Sequence, residues 1–182
     1  MRKNKFFIIY GASGSGKSTI LNFVKNIKNV SIHKKDTSRS LRKNETKNDS
    51  LDIRFVKQFN KKEYELIYSQ WGNHYGIRKD LISKAIKNNE FHFIIIGDIK
   101  IVKKFISKHK NSVVIYVHYD PSEIPNRFKN RDPLEFKQRK NKIEKQYLDF
   151  IKNNTLFNHV IVNFWDIKHS KKQILNILKL YK

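Results

Sequence analysis

The chain has 182 residues, no cysteine, and 39 Lys plus Arg against 16 Asp plus Glu, a formal charge of +23. This length suits one domain with a real core and a small insertion, and the lack of Cys excludes a disulfide scaffold, a zinc finger and a thiol nucleophile. No apolar run approaches the ~20 residues of a membrane span, and the apolar stretch near the start is too short for a secretory leader, so a cytoplasmic location and no membrane partner are expected.

Phe6-Phe7-Ile8-Ile9-Tyr10 reads as a buried strand. Lys17 to about Ile27 reads as a helix with Ile20, Leu21, Val24 and Ile27 on one side, and Val30 to Ile32 as a short strand. Residues 34–56 are polar and charged, ending in a strand at Ile53-Arg54-Phe55-Val56. Lys61 to Ser69 and Arg78 to Asn88 are expected to be helical, the second carrying Leu81, Ile82, Ala85 and Ile86 at helical spacing. Phe91 to Ile96 is a strand, Val102 to His109 a helix and Val113 to Val117 a strand. Ser122 to Arg131 and Leu134 to Lys152 are expected helices around a basic hinge. Val160 to Val162 is a last strand and Ser170 to Leu180 a last amphipathic helix. Apolar strands alternating with helices predict a three-layer α/β fold, a parallel sheet flanked by helices. The polar stretch 34–78 interrupts that rhythm as an inserted subdomain, leaving a core of 1–33 and 79–182.

All six glycines fall in three loops: Gly11, Gly14 and Gly16; Gly72 and Gly76; and Gly97. Gly11-Ala12-Ser13-Gly14-Ser15-Gly16-Lys17-Ser18 fits the phosphate-loop pattern G-x-x-x-x-G-K-S/T in full, with Thr19 following. A strand precedes it and a helix follows, the context in which backbone N–H groups and a helix N-terminus cradle phosphates. Lys17 is expected to neutralise the β- and γ-phosphates of ATP and the Ser18 hydroxyl to help hold Mg²⁺. Asp98, after the strand 91–96, sits where ligands bind in open α/β sheets. It reads either as a group reaching the metal shell or acceptor, or as the N-cap of the next helix.

Beyond this loop the chain resembles the guanylate kinase family of nucleoside monophosphate kinases over nearly its whole length. Thr37-Ser38-Arg39-Ser40-Leu41-Arg42, with Glu45, resembles T-T-R-x-x-R-x-x-E, whose arginines hold the acceptor phosphate. Asp52-Ile53-Arg54-Phe55-Val56 resembles D-Y-x-F-V, and Gly72-Asn73-His74-Tyr75-Gly76 resembles G-N-x-Y-G, whose Tyr contacts that phosphate. Asp98 falls on the Asp of the central strand, Arg127 and Arg131 resemble the R-x-x-x-R pair before the lid, and Phe157 to Asn163 resembles F-D-x-V-I-V-N, whose Asn lies beside adenine. The resemblance implies a P-loop kinase with ATP and Mg²⁺ as cofactors. It implies an ATP site of Gly11 to Thr19, Arg127 and Asn163, an acceptor site of Ser38, Arg39, Arg42, Tyr75 and Asp98, and catalysis by Lys17, Arg39, Arg131 and Arg139. A lid is expected near 131–142, where Lys142 could stand in for Arg139.

Three departures concern the acceptor. Ile53 replaces a Tyr, Leu66 replaces the Glu that reads guanine, with Glu65 adjacent, and Lys35 replaces a Ser. GMP or dGMP is the expected acceptor. Tyr64-Glu65-Leu66 ahead of Gly72 to Ile77 also resembles ribose 1,5-bisphosphate phosphokinases, so a phosphorylated sugar is the alternative, and a binding module with a degenerate acceptor site is the third.

The basic balance admits a nucleic-acid reading. Yet Lys outnumbers Arg by 31 to 8, and Lys, Asn and Ile together reflect AT-rich codons. Five of the eight arginines fall where two phosphate chains would meet. The expected partner is a small phosphorylated molecule rather than a nucleic acid, and the chain itself a monomer or homodimer. The seven His lack metal-ligand spacing.

Overall fold

A computed structural model describes residues 5–41, 46, 50–70, 72–123, 126, 133–163 and 166–182, with 133–139 described as backbone alone. Two sheets organise them. The first is built from β1 (Lys5–Tyr10), β2 (Val30–Ile32), β7 (Phe91–Ile95), β8 (Ser112–His118) and β9 (His159–Val162), in the order β2-β7-β1-β8-β9. Every pairing in it is parallel. The second is built from β3 (Lys35–Thr37), β4 (Ile53–Phe55), β5 (Tyr64–Gln70) and β6 (Asn73–Arg78), in the order β4-β3-β6-β5.

The first sheet is buried on both faces because its strands are apolar at successive positions. Phe7 and Ile9 of β1 point to one side, where they pack with Ile20, Leu21 and Val24 of α1 (Lys17–Val24) and Ile174 and Leu178 of α5 (Ile167–Lys179). Phe6, Ile8 and Tyr10 point to the other, against Ile82 and Ala85 of α2 (Lys79–Lys87) and Val102 and Phe105 of α3 (Ile99–Lys108). The helix α4 (Pro133–Lys152) joins that second side, with Phe150 stacked on Tyr116 at 3.8 Å between ring centroids. The result is the three-layer α/β fold that the strand–helix alternation predicts.

The second sheet corrects the expected helix at 61–69. Only Lys61–Glu63 turn as a short 3₁₀ segment, and Tyr64–Gln70 are a strand. Period 2 wins over period 3.6 here because Tyr64, Leu66 and Tyr68 are the buried residues of the run. The Gly72-to-Gly76 segment, expected as a loop, is mostly β6, and the polar run after 34 opens with β3. Gly72 alone keeps turn geometry, with φ at +70°. A bulge between Tyr64 and Leu66 sends these neighbours to opposite faces. Leu66 joins Ile77 in the main core, while the Tyr64 ring covers Gly76 and its hydroxyl donates to Asp36 at 2.8 Å. A Cβ at Gly76 would lie 2.4 Å from that ring, so the glycine makes room for it. Of the helix expected at 122–131, the structure describes a 3₁₀ turn at Pro121–Glu123 and Asn126 as helical, and the other residues lie outside the described ones. Among the described residues no helix is long and apolar enough to cross a membrane.

Candidate active site

The glycine-rich loop lies between β1 and α1, at the carboxyl end of the parallel sheet. Gly14 and Gly16 take φ of +84° and +97°, left-handed values that favour glycine. Gly11 takes +153°, and a Cβ there would stand 2.5 Å from the Val117 carbonyl oxygen and 2.9 Å from Ser15 Oγ. The loop is therefore pressed onto the end of β8 with no space for a side chain at its first residue. Lys17 folds back so that Nζ donates to the Gly11 carbonyl at 2.9 Å and the Ala12 carbonyl at 2.6 Å. Ser18, next in α1, is exposed. A strand, a left-handed glycine loop, a lysine resting on loop carbonyls and an exposed hydroxyl at a helix start fit a phosphate chain and its cation.

Two supports hold this loop from outside. Asn163, just past β9, is 6% exposed and donates Nδ2 to the Ser15 carbonyl at 2.6 Å. Its Oδ1 accepts from Ser170 Oγ of α5 at 2.8 Å, and its N–H donates to the His118 carbonyl. The amide that the resemblance places beside adenine is thus engaged with the loop backbone. The second support is Gln146 of α4, whose Oε1 accepts from the Ser13 N–H at 3.0 Å.

One face of the second sheet carries a further group of expected site residues. Thr37 pairs in register with Phe55 and with Tyr75, and Tyr75 with Tyr68, so these four share a face. Tyr68 and Tyr75 stack at 5.3 Å. Arg39 is 9% exposed, lies 4.9 Å over the Phe55 ring, and donates from Nη1 to the Ser40 carbonyl. Ser38 is tied to the start of β6, its Oγ accepting from the His74 N–H at 2.9 Å. The second sheet is tied to the segment after β7 by Gln70, which donates to the Gly97 carbonyl at 3.1 Å.

The Lys35 departure has a structural partner. Lys35 Nζ donates to Asp52 Oδ2 at 2.8 Å, an ion pair with both residues buried. Burial alone would raise the Asp52 carboxyl. The Lys35 charge and hydrogen bond, and the Lys17 charge beyond them, outweigh it and hold the carboxyl below the ordinary range. Lys17 thus lies close enough for its charge to act on Asp52. Burial, then the neighbouring Tyr75, pushes the Tyr68 hydroxyl up, while a hydrogen bond from the Gly97 backbone opposes the rise. Asp98 and Asp52 also contribute to that rise.

The other expected site residues are distributed as follows. Asp98 caps α3, its Oδ1 accepting from the Lys100 and Ile101 N–H groups at 2.8 and 3.3 Å. Leu66 is core rather than cleft. Glu65 does not lie on a helix face beside it; it accepts from Lys108 Nζ of α3 at 2.7 Å, away from any guanine-reading position. Arg54 forms a two-pronged pair with Asp36, both contacts 2.7 Å, on the opposite face of the sheet. Lys142 donates to Gln70 Oε1 at 3.3 Å. Arg42, Glu45, Arg127 and Arg131 lie outside the described residues, and Arg139 is described only as backbone within α4. Sequence reading missed Gln70, Gln146 and the partner of Lys35. The one available signal was the polar pair Lys142 and Gln146, one helical turn apart. Among the described residues no cluster of His, Asp and Glu is arranged to hold a metal by itself.

Among solved structures, a guanylate kinase from Anaplasma phagocytophilum is similar to this chain with a TM-score of 0.69, at 19% sequence identity, over 99% of this chain and 87% of that one. A fungal RNA kinase gives a TM-score of 0.48 at 14% identity, over 97% of this chain and 86% of its own. No protein-family model and no curated protein matches the chain. The chain has a guanylate-kinase-like fold, with a five-stranded parallel sheet flanked by helices.

Proposed function

We propose that this protein is an ATP-dependent phosphotransferase acting on a nucleoside monophosphate, with GMP or dGMP as the favoured acceptor. The observation that supports the reading is the joining of two phosphate-suited elements at one carbonyl. The glycine loop that carries Lys17 and the second sheet that carries Arg39, Thr37, Tyr68 and Tyr75 are both tied to Gly97, through Gln146 and Gln70. Phosphoryl transfer is mostly positioning and charge neutralisation, and this layout supplies a cradle for one phosphate chain and a cation for another. ATP would lie on Gly11 to Thr19. On phosphate arrival Lys17 would exchange the Gly11 and Ala12 carbonyls for phosphate oxygens. Ser18 would contribute its hydroxyl to a Mg²⁺ shell, and the ion would neutralise charge on the transferring group. Arg39, with Arg42, would grip the acceptor phosphate in a fork, with Tyr75 and Ser38 beside it. Arg131 and Arg139 would approach the transferring group from the lid around 131–142, and Arg127 would contact ATP. Asn163 would act by holding the loop in shape. The subdomain 34–78 would bind the acceptor.

A second reading, a kinase of a phosphorylated sugar, is favoured by one observation. Leu66 is buried in the core and Glu65 is paired with Lys108, so neither of them presents a carboxylate to a guanine. Among the described residues, Asp98 and Asp52 are the carboxylates that act on Tyr68. An assay of ADP formation over a panel of nucleoside monophosphates and ribose 1,5-bisphosphate separates the readings. Turnover with GMP or dGMP, abolished by Lys17→Ala, supports the first. Turnover with the sugar alone supports the second. No turnover with any acceptor overturns both.

A further inference from the structure

Gln146 sits on α4 one turn after Lys142 and is 3% exposed. Its amide is used at both ends. Oε1 accepts from the Ser13 N–H at 3.0 Å, and Nε2 donates to the Gly97 carbonyl at 3.0 Å. The same carbonyl accepts from Gln70 Nε2 at 3.1 Å, and Gln70 Oε1 accepts from Lys142 Nζ at 3.3 Å. Residues four apart lie on one helical face, so the chain of bonds closes into a ring from α4 back to α4.

The ring links three backbone units that the fold brings from distant parts of the sequence. These are the glycine loop, the carboxyl end of β7 and the last residue of β5. Ser13, Gly97 and Gln70 are each only partly buried, outside the deep core. A buried glutamine that merely satisfied nearby backbone groups would need no second glutamine on the same carbonyl. Nor is the glycine itself the reason for the arrangement. A Cβ at Gly97 would meet Gln70 Oε1 at 3.5 Å and Gln146 Nε2 at 3.8 Å, both ordinary contacts. The bonds are made to the carbonyl, which any residue would supply.

We infer that Gln146, assisted by Lys142 and Gln70, is a positioning residue that keeps the glycine loop in register with the acceptor sheet. This rests on the phosphotransferase reading above. Gln146 touches no substrate in this scheme. It acts through the Ser13 N–H and the Gly97 carbonyl, fixing the distance between the donor and acceptor halves. Because α4 also carries Arg139, the same bonds register the start of that helix against both halves. In-line transfer is sensitive to such register: a displacement of about 1 Å lowers a rate by about 100-fold.

The test compares Gln146→Leu, which removes both bonds at similar volume, with Gln146→Glu and Gln70→Leu. Gln146→Glu keeps an acceptor for Ser13 and loses the donor to Gly97, while Gln70→Leu breaks only the arm to the acceptor sheet. For each, kcat, both KM values and Tm are measured with the acceptor found for the wild type. The expected result is a kcat lowered by about 30-fold or more in Gln146→Leu at a temperature where the variant is still folded, with Tm lowered only as two lost buried hydrogen bonds require. Gln146→Glu should lie between it and the wild type, and Gln70→Leu should mainly raise the acceptor KM. The Gln146→Leu/Gln70→Leu double variant should be little worse than Gln146→Leu, since both act on one carbonyl. A kcat within twofold of wild type in Gln146→Leu overturns the inference, as does a fall that tracks Tm in every variant. If Gln146→Leu does not fold, Gln146→Glu and Gln70→Leu decide by the same criteria.

A second arm measures binding of a non-hydrolysable ATP analogue with Mg²⁺ by calorimetry. Weakening by about fivefold or more in Gln146→Leu, or in Gln146→Glu where the former does not fold, supports the inference, this being the size expected for one lost hydrogen bond. Unchanged affinity in this arm counts against it. If the wild type transfers to no acceptor, the phosphotransferase reading fails and this arm alone decides the role of Gln146. A wild type that does not bind the analogue overturns both.

Discussion

Asn163 and Ser15, far apart in the chain, are joined by a buried hydrogen bond of 2.6 Å from a side-chain amide to a loop carbonyl. Asn163 is also tied to Ser170, so the glycine loop is fastened to the final helix through one residue. Asn163→Leu leaves the Ser15 carbonyl and the Ser170 hydroxyl without this partner. A loss of about 1–3 kcal/mol in stability is expected, read by urea unfolding. ATP-analogue affinity should fall with it, because the loop loses its preset shape. Asn163→Asp should behave no better, since a carboxylate has no donor for the Ser15 carbonyl.

The Lys35–Asp52 pair is buried, so removing one partner should do more harm than removing both. Lys35→Met strands the Asp52 carboxylate and should cost about 3–5 kcal/mol, whereas Lys35→Met with Asp52→Leu should recover most of it. Chemical denaturation of the three proteins measures this. The pair also sets an acid limit. A carboxyl held below its ordinary pKa contributes stability above that value and loses it as pH falls through the folded one. Acid unfolding of the wild type should therefore contain a step below the normal Asp range that the double variant lacks.

Gly11 and Gly97 should differ sharply in tolerance to alanine. Gly11 has a φ of +153° and a backbone oxygen 2.5 Å from where a Cβ would be. Gly11→Ala should cost about 1–3 kcal/mol and weaken nucleotide binding, because the loop must lift off the end of β8. Gly97→Ala meets only ordinary contacts and should keep both stability and binding. Parallel thermal melts and calorimetry check the contrast.

His33 and His92 face each other at 2.9 Å between ring nitrogens, across the edge of the first sheet. Burial first, then the neighbouring His92, push His33 down to about 4 from an ordinary value near 6.5. In the window between those values the unfolded chain binds the extra proton. Stability is therefore fully present above about pH 6.5 and falls as pH drops toward 4, by about 1–3 kcal/mol. His33→Asn should flatten this part of the stability profile, as measured by urea unfolding at a series of pH values.

The first sheet and the glycine loop were legible in the sequence because their signals are local. Phe6 to Tyr10 is an unbroken apolar run, and Gly11 to Ser18 is a full motif between a strand and a helix. Of the second sheet only β4 was legible, as the strand at Ile53 to Val56, because the other strands are chemically mixed. Lys35-Asp36-Thr37 looks like a solvated turn until Asp52, Arg54 and Tyr64 arrive to pair its charges. Tyr64 to Gln70 alternates cleanly only once the bulge at Glu65 is allowed for. Asp98 shows the remaining difficulty. Its position at a strand end suits both a ligand contact and a helix cap, and the cap is what its Oδ1 makes. Gln70 and Gln146 carry little signal beyond the Lys142–Gln146 spacing, since the groups they bond lie far away in sequence.

The strand order of the first sheet has a consequence for how the chain reaches its fold. β2 lies against β7, with Val30 opposite Phe91, and the entire second sheet is strung between them. Pairing those two strands closes a long loop, whose entropic cost grows by only about 0.6 kcal/mol for each doubling of length. Closure is thus affordable thermodynamically yet slow, as distant pairings are. β1 against β7 spans more chain still, since Lys5 lies opposite Phe91, so each pairing of β7 with an amino-terminal strand closes a loop that contains the whole second sheet.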